Sequence, residues 1–176
     1  MSEGLPLSQS YNLARLGNAG DVVTFAADDA ARAAIARWAG ILSLERLEAK
    51  VEIRKLGPVR FGLDFSFTAD VTQACVVTLD PVPAHLEHSF HRELHFAAPV
   101  RGKPGVESHP DLVLDSDEEE GPEEISSLHY DLAVPVLEEF ALALEPYPRR
   151  PGVEFAPPSD GLEAPESPFA VLKGLK

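Results

Sequence analysis

The stretch VRFGLDFSFTADVTQACVVTL, residues 59–79, alternates apolar and polar side chains over most of its length. Successive side chains of a β-strand point to opposite faces of a sheet, so a period of two predicts one long strand, or two strands joined by a bulge near Gln73. The side chains opposite the apolar set are polar, which predicts a sheet with one covered face and one wet face. The apolar set is Val59, Phe61, Leu63, Phe65, Phe67, Ala69, Val71, Cys75, Val77 and Leu79.

Alternating runs also flank this stretch on both sides. The run before it ends at Gly57-Pro58, and its apolar positions are Leu47, Ala49, Val51 and Ile53. The run after the Asp80-Pro81 turn has apolar residues at Ala84, Leu86, Phe90, Leu94 and Phe96. A helix also fits this last run, because three of these residues recur every four positions, but the long strand needs a partner and that favours a strand. Three such runs with tight connections predict an antiparallel meander.

Two segments have helical patterns. In residues 28–40, Asp28 or Asp29 can cap the first turn and Gly40 suits the position after the last turn. The predicted buried stripe of this helix is Ala31, Ile35, Trp38 and Leu42. The second helix has Asp131 in its first turn, Pro135 near its start and Pro146 as its stop, with apolar positions at Leu132, Val136, Phe140 and Leu144. The segment before the first helix predicts a hairpin or a leading strand.

These elements predict an α+β fold: an antiparallel sheet that could curl into a barrel-like form, with two main helices. Residues 1–155 form the predicted domain, interrupted at about 99–127 by an acidic loop that we expect to be mobile, because like charges at high density cannot pack. Residues 156–176 are predicted to be a Pro-rich linker with a short apolar tail.

Composition narrows the classes of function. With 29 acidic and 15 basic residues, the formal net charge is −14. Such a surface repels phosphate, so we expect no direct nonspecific binding of nucleic acid, and basic proteins are the natural partners. A single cysteine fits a reducing compartment. Together with the absence of a signal peptide or a membrane-length apolar stretch in the sequence, it predicts a cytoplasmic protein with no membrane association.

The sequence offers no motif for catalysis, so we predict that the protein is not an enzyme and needs no cofactor. The candidate metal ligands are His85, His88, His91 and His95. On a strand, His88 points away from His91 and His95, which lie about 14 Å apart, so one metal ion cannot collect them, although a helix would bring His88, His91 and His95 to one face. Cys75 has the parity of the apolar set, which favours a buried packing residue over a nucleophile. Glu138 and Glu139 are adjacent and are expected to be solvated charges rather than an acid/base pair.

Two segments are candidates for partner binding. The first is the acidic run that contains Asp117, Glu118, Glu119 and Glu120. The second is the C-terminal SPFAVLKGLK, in which Ser167 and Pro168 can begin a helical turn with Phe169, Leu172 and Leu175 along one side. A helix this short is marginal alone, so the tail either docks on its own domain or inserts into a partner's groove.

Three stretches in this order resemble the YceD family of large ribosomal RNA subunit accumulation proteins: ACVVTLDPV, DLAVPVLEEFALALEPYP and SPFAVLKGLK. We expect the resemblance to extend from about Asp28 onward. It implies a non-enzymatic bacterial protein needed for normal accumulation of the large-subunit ribosomal RNA. Together with the acidic charge, it predicts an assembly or stability factor that acts through contact with a basic ribosomal or assembly protein of the large subunit. The alternative is a generic acidic module that binds a basic protein without a ribosomal role. The residues matching the family's motifs are Cys75, Thr78, Asp131, Leu132, Pro146, Pro148, Pro168 and Phe169.

The resemblance also bears on Cys75. Many family members carry two cysteines where this chain has Cys75 and Thr78, and often another after the long helix, where this chain has none. A structural zinc ion takes about four ligands, which one thiol cannot supply. We therefore expect a metal-free version of the fold.

Overall fold

The computed structural model describes residues 5–97 and 121–154. Its centre is a three-stranded antiparallel meander of β3 (Ser43–Lys55), β4 (Arg60–Ala74) and β5 (Pro81–Phe96). The register of β4 on β5 is unbroken from Arg60 opposite His95 to Ala74 opposite Pro81. The third alternating run is therefore a strand, as predicted, and the helical alternative is wrong.

The meander extends into a five-stranded sheet of order β2-β3-β4-β5-β6. Strand β2 (Asp21–Ala26) pairs antiparallel with β3, and β6 (Glu123–Ile125) pairs parallel with the end of β5. In the described residues no pairing joins β2 to β6, so the sheet is open and the barrel-like form is not found. The acidic loop was expected at about 99–127, but Glu123–Ile125 near its end form strand β6, so the loop prediction is wrong for these residues. Residues 98–120 lie outside the described residues.

One face of the sheet forms the core. On β4, Phe61, Leu63, Phe65, Phe67, Ala69 and Val71 are all at most 3% exposed, and Leu47, Ala49, Val51 and Ile53 of β3 are buried beside them. The alternation of residues 59–79 was therefore a correct guide to the buried positions from Phe61 as far as Cys75. It fails at the ends, because Val59 is partly exposed and Leu79 is 77% exposed.

Helix α1 (Asp29–Ala39) begins and ends where the sequence predicts. The carboxylate of Asp28 accepts a hydrogen bond from the Ala31 N–H, and Gly40 adopts the left-handed conformation that ends the helix. The predicted stripe is partly wrong: Ile35 is buried, but Trp38 and Leu42 are exposed. Leu42 is not part of the stripe because the helix ends at Gly40. Leu42 therefore lies beyond the helix, where its N–H donates to the Thr72 carbonyl.

Helix α2 (Ala133–Ala143) packs over the covered face of β4 and β5. Its Val136, Leu137 and Phe140 are fully buried, and the ring of Phe140 meets that of Phe67 edge-on at 6.4 Å. On the same face of β5, His88 and Arg92 bind the carboxylates of Glu138 and Glu139, at 3.3 Å for each pair. Both glutamates are therefore ion-paired. The Glu138 side chain is also 54% exposed, as expected for a solvated charge, whereas Glu139 is largely covered, which corrects the expectation for that residue.

The N-terminal segment lies beside the start of α2. Strand β1 (Ser10–Asn12) pairs with β7 (His129–Asp131) as a separate two-stranded sheet, and a 3₁₀ turn at Leu13–Arg15 follows β1. The carboxylate of Asp131 accepts hydrogen bonds from the Ser8 hydroxyl and from the N–H groups of Gln9 and Ala133. One side chain thus joins the N-terminal segment to the first turn of α2.

Within residues 5–97 and 121–154, no helix has the length and apolar character needed to cross a membrane.

Candidate functional site

The loop that joins β4 to β5, residues 75–80, is closed by its own backbone. The Cys75 N–H donates to the Asp80 carbonyl at 2.8 Å, and the Leu79 N–H donates to the Cys75 carbonyl at 2.9 Å. Leu79 has a φ of 63°, in the left-handed region that few residues other than glycine adopt. Cys75 is fully buried at the base of this loop, as the sequence predicts.

The segment after α2 packs against this loop. The Gln73 amide donates to the Glu145 carbonyl, and the Val76 N–H donates to the carbonyl of the buried Pro148, each at 2.9 Å. The Arg150 N–H points to the Cys75 sulfur at 3.5 Å, and the Arg150 guanidinium binds the Asp80 carboxylate at 3.0 Å. Two segments about 70 residues apart in the chain, residues 73–80 and 145–150, therefore meet at Cys75.

This environment favours the thiolate. The Thr78 hydroxyl, then the N–H groups of Arg150, Thr78 and Val77, donate to the sulfur and lower the pKa of Cys75 from its ordinary value of 9.0 to about 6. Buried thiols without donors have raised pKa values, so the hydrogen bonds outweigh burial here. Cys75 is thus buried as expected. Its pKa is also lowered, which the alternation of apolar and polar residues in the sequence does not indicate.

The donors around Cys75 do not fit a zinc ion. The residues that contribute polar side chains are one thiol, the Thr78 hydroxyl and the Arg150–Asp80 ion pair, and a guanidinium cation disfavours a second cation. Elsewhere in the described part of the chain, no three His, Cys, Asp or Glu side chains cluster in a way that could hold a metal ion. We expect the Arg150–Asp80 pair and the hydrogen bonds of Cys75 to join these two segments without metal.

The Cys75 pKa predicts a pH dependence of stability. Because the pKa of the folded state is depressed, its stabilising contribution is present above the ordinary value near 9 and is lost as the pH falls through about 6. We therefore expect the free energy of unfolding to rise between about pH 6 and pH 9 more steeply in the wild type than in Cys75→Ala. Urea unfolding at several pH values measures this difference, and equal slopes would contradict the prediction.

A second candidate surface is the open face of the sheet, opposite the helices. We use this name for the polar side chains of β2 to β5 that alternate with the core residues. Two similar charge clusters lie on it, about 20 Å apart along β4 because six residues separate their aspartates. Asp70 contacts Arg46 at 2.8 Å and His85 at 2.6 Å. Asp64 contacts Arg54, and His91 at 2.7 Å.

These contacts hold both aspartates in the charged form. The hydrogen bond from His85, followed by that from Arg46, lowers the pKa of Asp70. Partial burial raises the pKa of Asp64, but His91 and Arg54 together outweigh it and leave a lowered value. The histidines that the sequence offered as a metal set are therefore separate partners of separate acids: His85, His88 and His91 each bind a carboxylate of a different residue.

A hollow of about 520 Å³ lies between the two clusters. Small hydroxyl side chains form its floor, and charged side chains stand at its sides. The hydroxyl residues are Thr24, Ser66, Thr68 and Ser89, and the charged residues are Glu48, Lys50 and Glu87. Glu48, Thr68 and Glu87 are directly opposite one another on β3, β4 and β5. This hollow was not predicted from the sequence, although the polar positions of the alternating runs already placed its hydroxyl and charged residues on one face.

The residues predicted from family motifs fall into three places. Cys75, Thr78 and Pro148 meet at the β4–β5 loop, and Pro146 is exposed just before it. Asp131 and Leu132 lie at the other end of α2, where Leu132 is fully buried. The candidates for partner binding, and two motif residues, lie outside the described residues: Asp117, Glu118, Glu119, Glu120, Pro168, Phe169, Leu172 and Leu175.

The family model described as large ribosomal RNA subunit accumulation protein YceD matches residues 63–176. The match confirms the resemblance seen in the sequence, although it begins at Leu63 rather than near Asp28. It covers β4 from Leu63 onward, β5 and α2, and therefore both segments that meet at Cys75. Searches of curated proteins and of solved structures found no significant match.

Proposed function

The chain belongs to the YceD family, and we propose that it supports the accumulation of large-subunit ribosomal RNA by binding a basic ribosomal or assembly protein. The family match is the observation that carries the ribosomal role. The charge of −14 supports a basic protein, rather than nucleic acid, as the direct partner. In this proposal the protein acts by binding, without catalysis and without a cofactor.

The proposed route is protection of a basic protein before or during its incorporation into the subunit. Such proteins carry many Lys and Arg side chains, and an acidic surface both steers their approach and disfavours contact with other acidic proteins. The acidic run at residues 117–120 adds to this field regardless of its conformation, because charge acts over about a Debye length.

Deletion of the gene tests the ribosomal role. We expect the ratio of large-subunit to small-subunit ribosomal RNA to fall, and crosslinked pull-down of the tagged protein to recover a basic large-subunit or assembly protein. Gel analysis of total RNA and mass spectrometry measure the two results. An unchanged ratio together with recovery of an unrelated basic protein would favour the generic acidic module instead.

The role of the acidic run can be tested with the partner that the pull-down recovers. Replacing Asp117 by Asn and Glu118, Glu119 and Glu120 by Gln should slow association with the recovered partner by about tenfold at low salt, with unchanged melting temperature. Stopped-flow measurement at rising salt checks the electrostatic origin. Unchanged kinetics would restrict these residues to a role in solubility.

A further inference from the structure

We propose that the open face of the sheet binds an extended basic polypeptide segment, with one Lys or Arg side chain of that segment in the hollow between Glu48 and Glu87. This inference rests on the proposed function, since it assigns the basic partner a place on the domain. Its basis is the distribution of unpaired charge on this face and the shape of the hollow.

The basic residues of the open face are already neutralised. Arg46, Lys50, Arg54 and Arg60 each contact an acid of the same face: Asp70, Glu52, Asp64 and Glu93 respectively. Three glutamates on this face have no full partner among the described residues. Glu87 has none, Glu45 accepts only from hydroxyls, and Glu48 reaches only Arg46 at 3.9 Å. The charge left for a ligand is therefore acidic. Two of the three glutamates, Glu48 and Glu87, line the hollow, and the one basic residue of its lining, Lys50, is paired with Glu52.

The hollow suits one cationic side chain. Neighbouring strands lie about 4.8 Å apart, so the backbones at Glu48 and Glu87 are separated by about 10 Å, with Thr68 midway between them. An ammonium or guanidinium group placed above Thr68 would lie between two carboxylates. The Ser66 and Ser89 hydroxyls supply additional acceptors for its remaining N–H groups.

The surroundings favour a polypeptide over nucleic acid. The two aromatic residues that line the hollow, Phe25 and Phe67, have the parity of the covered face, so their rings are not positioned to stack on a base in the hollow. Glu87, which has no basic partner among the described residues, and Glu48, whose contact with Arg46 is as long as 3.9 Å, would both repel phosphate. An extended peptide, by contrast, places alternate side chains about 7 Å apart on one side, so it can follow the exposed face of the strands while every second residue points down.

A labelled peptide provides the direct test. The probe is a fluorescein-labelled peptide of about ten residues that alternates lysine and threonine, which places all lysines on one side when extended. Fluorescence anisotropy with the full chain should show salt-sensitive binding. The paired substitution Glu48→Gln and Glu87→Gln should weaken binding by about tenfold or more, because both carboxylates around the cation are lost.

A matched pair of substitutions separates the hollow from net charge. Glu124→Gln with Glu154→Gln removes the same charge from two exposed residues that do not line the hollow. This control should weaken binding much less than the Glu48/Glu87 pair. An equal loss from both pairs would mean that only net charge is sensed, and it would overturn the proposal. The same holds if an RNA oligonucleotide binds this face more tightly than the peptide.

A blocking substitution gives a second, independent measurement. Ser66 is partly exposed on the floor of the hollow, so Ser66→Arg should place its own guanidinium between the glutamates and abolish peptide binding without lowering the melting temperature. Full binding by this variant would overturn the proposal even if the Glu48/Glu87 pair failed to fold.

The outcome for the open face is distinguishable from that for the ribosomal role. If gene deletion lowers large-subunit RNA but the Glu48/Glu87 and Ser66 variants bind peptide as the wild type does, the binding face is wrong and the proposed function stands. If these variants lose peptide binding but gene deletion leaves the RNA ratio unchanged, the proposed function fails and the binding face stands.

Discussion

Replacing Phe67 by alanine is expected to lower the free energy of unfolding by about 3–5 kcal/mol. Phe67 lies at the centre of β4 and is only 2% exposed. Its ring contacts Phe140 of α2 at a centroid distance of 6.4 Å and the His88 ring of β5 at 5.8 Å. Removing the ring leaves a cavity at the place where the sheet and α2 meet, and the surrounding strands cannot collapse into it because their register is fixed on both sides.

Urea unfolding measured by tryptophan fluorescence and circular dichroism checks this value. Ser66→Ala is the matched control, because Ser66 is the adjacent residue on the open face and its substitution should change stability by at most about 0.5 kcal/mol. A double-mutant cycle with Phe140→Ala should give a non-additive result, since both rings border the same cavity. A loss below about 1 kcal/mol for Phe67→Ala would contradict the packing described for α2.

The alternating pattern that places Phe67 in the core was readable from the sequence because a sheet with one covered face repeats every two residues. The same parity predicted the buried residues of β3 and β4 and the strand character of β5. Helix α1 was predictable for a different reason: Asp28 and Gly40 act locally, through one hydrogen bond and one left-handed residue, and need no information from the rest of the fold.

Parity failed where the chain leaves the sheet. Val77 and Leu79 have the same parity as the core residues, but the backbone bond from Leu79 to Cys75 turns the chain and exposes the Leu79 side chain. The pairing of β6 with β5 was missed because a three-residue strand carries too little pattern. Trp38 was assigned to the core from its helical spacing, but the buried residues of α1 are Ile35 and Ala36, and Trp38 is 45% exposed.

The candidate sites depend on contacts that are distant in sequence, which explains why residue patterns alone indicated them only in part. The family resemblance identified Cys75, Thr78 and Pro148 as motif residues. It did not indicate that Thr78 donates to the Cys75 sulfur or that the Pro148 carbonyl accepts from the Val76 N–H. The hollow on the open face is formed by residues from four strands. That Glu48 and Glu87 lack a close basic partner among the described residues becomes apparent only after each basic neighbour has been matched with its acid. Sequence patterns give the sign of the charge, and the register gives its position.

Replacing Asp131 by alanine is expected to lower the free energy of unfolding by about 2–3 kcal/mol, the second largest effect. The carboxylate accepts from the Gln9 N–H at 2.7 Å, from the Ser8 hydroxyl at 2.6 Å and from the Ala133 N–H at 3.0 Å. The last of these satisfies a free N–H in the first turn of α2, where negative charge is also favourable. Without the carboxylate, the N–H groups of Gln9 and Ala133, both in partly buried surroundings, lose their acceptor.

Hydrogen exchange tests whether the loss has this local origin. In Asp131→Ala, the amides of Gln9 and Ala133 should exchange faster than in the wild type beyond the change in global stability, while the amides of β4 should follow global stability alone. Ser8→Ala is the control, because it removes only the exposed hydroxyl and should cost well under about 1 kcal/mol. If Asp131→Ala and Ser8→Ala lose equal stability, the backbone bonds of Asp131 are not what hold the N-terminal segment. If the two N–H groups do depend on Asp131, this family-motif position holds the N-terminal segment against α2. At the other end of α2, the Arg150 N–H bonds to the Cys75 sulfur and the Pro148 carbonyl accepts from the Val76 N–H, so the segment after the helix is joined to the β4–β5 loop.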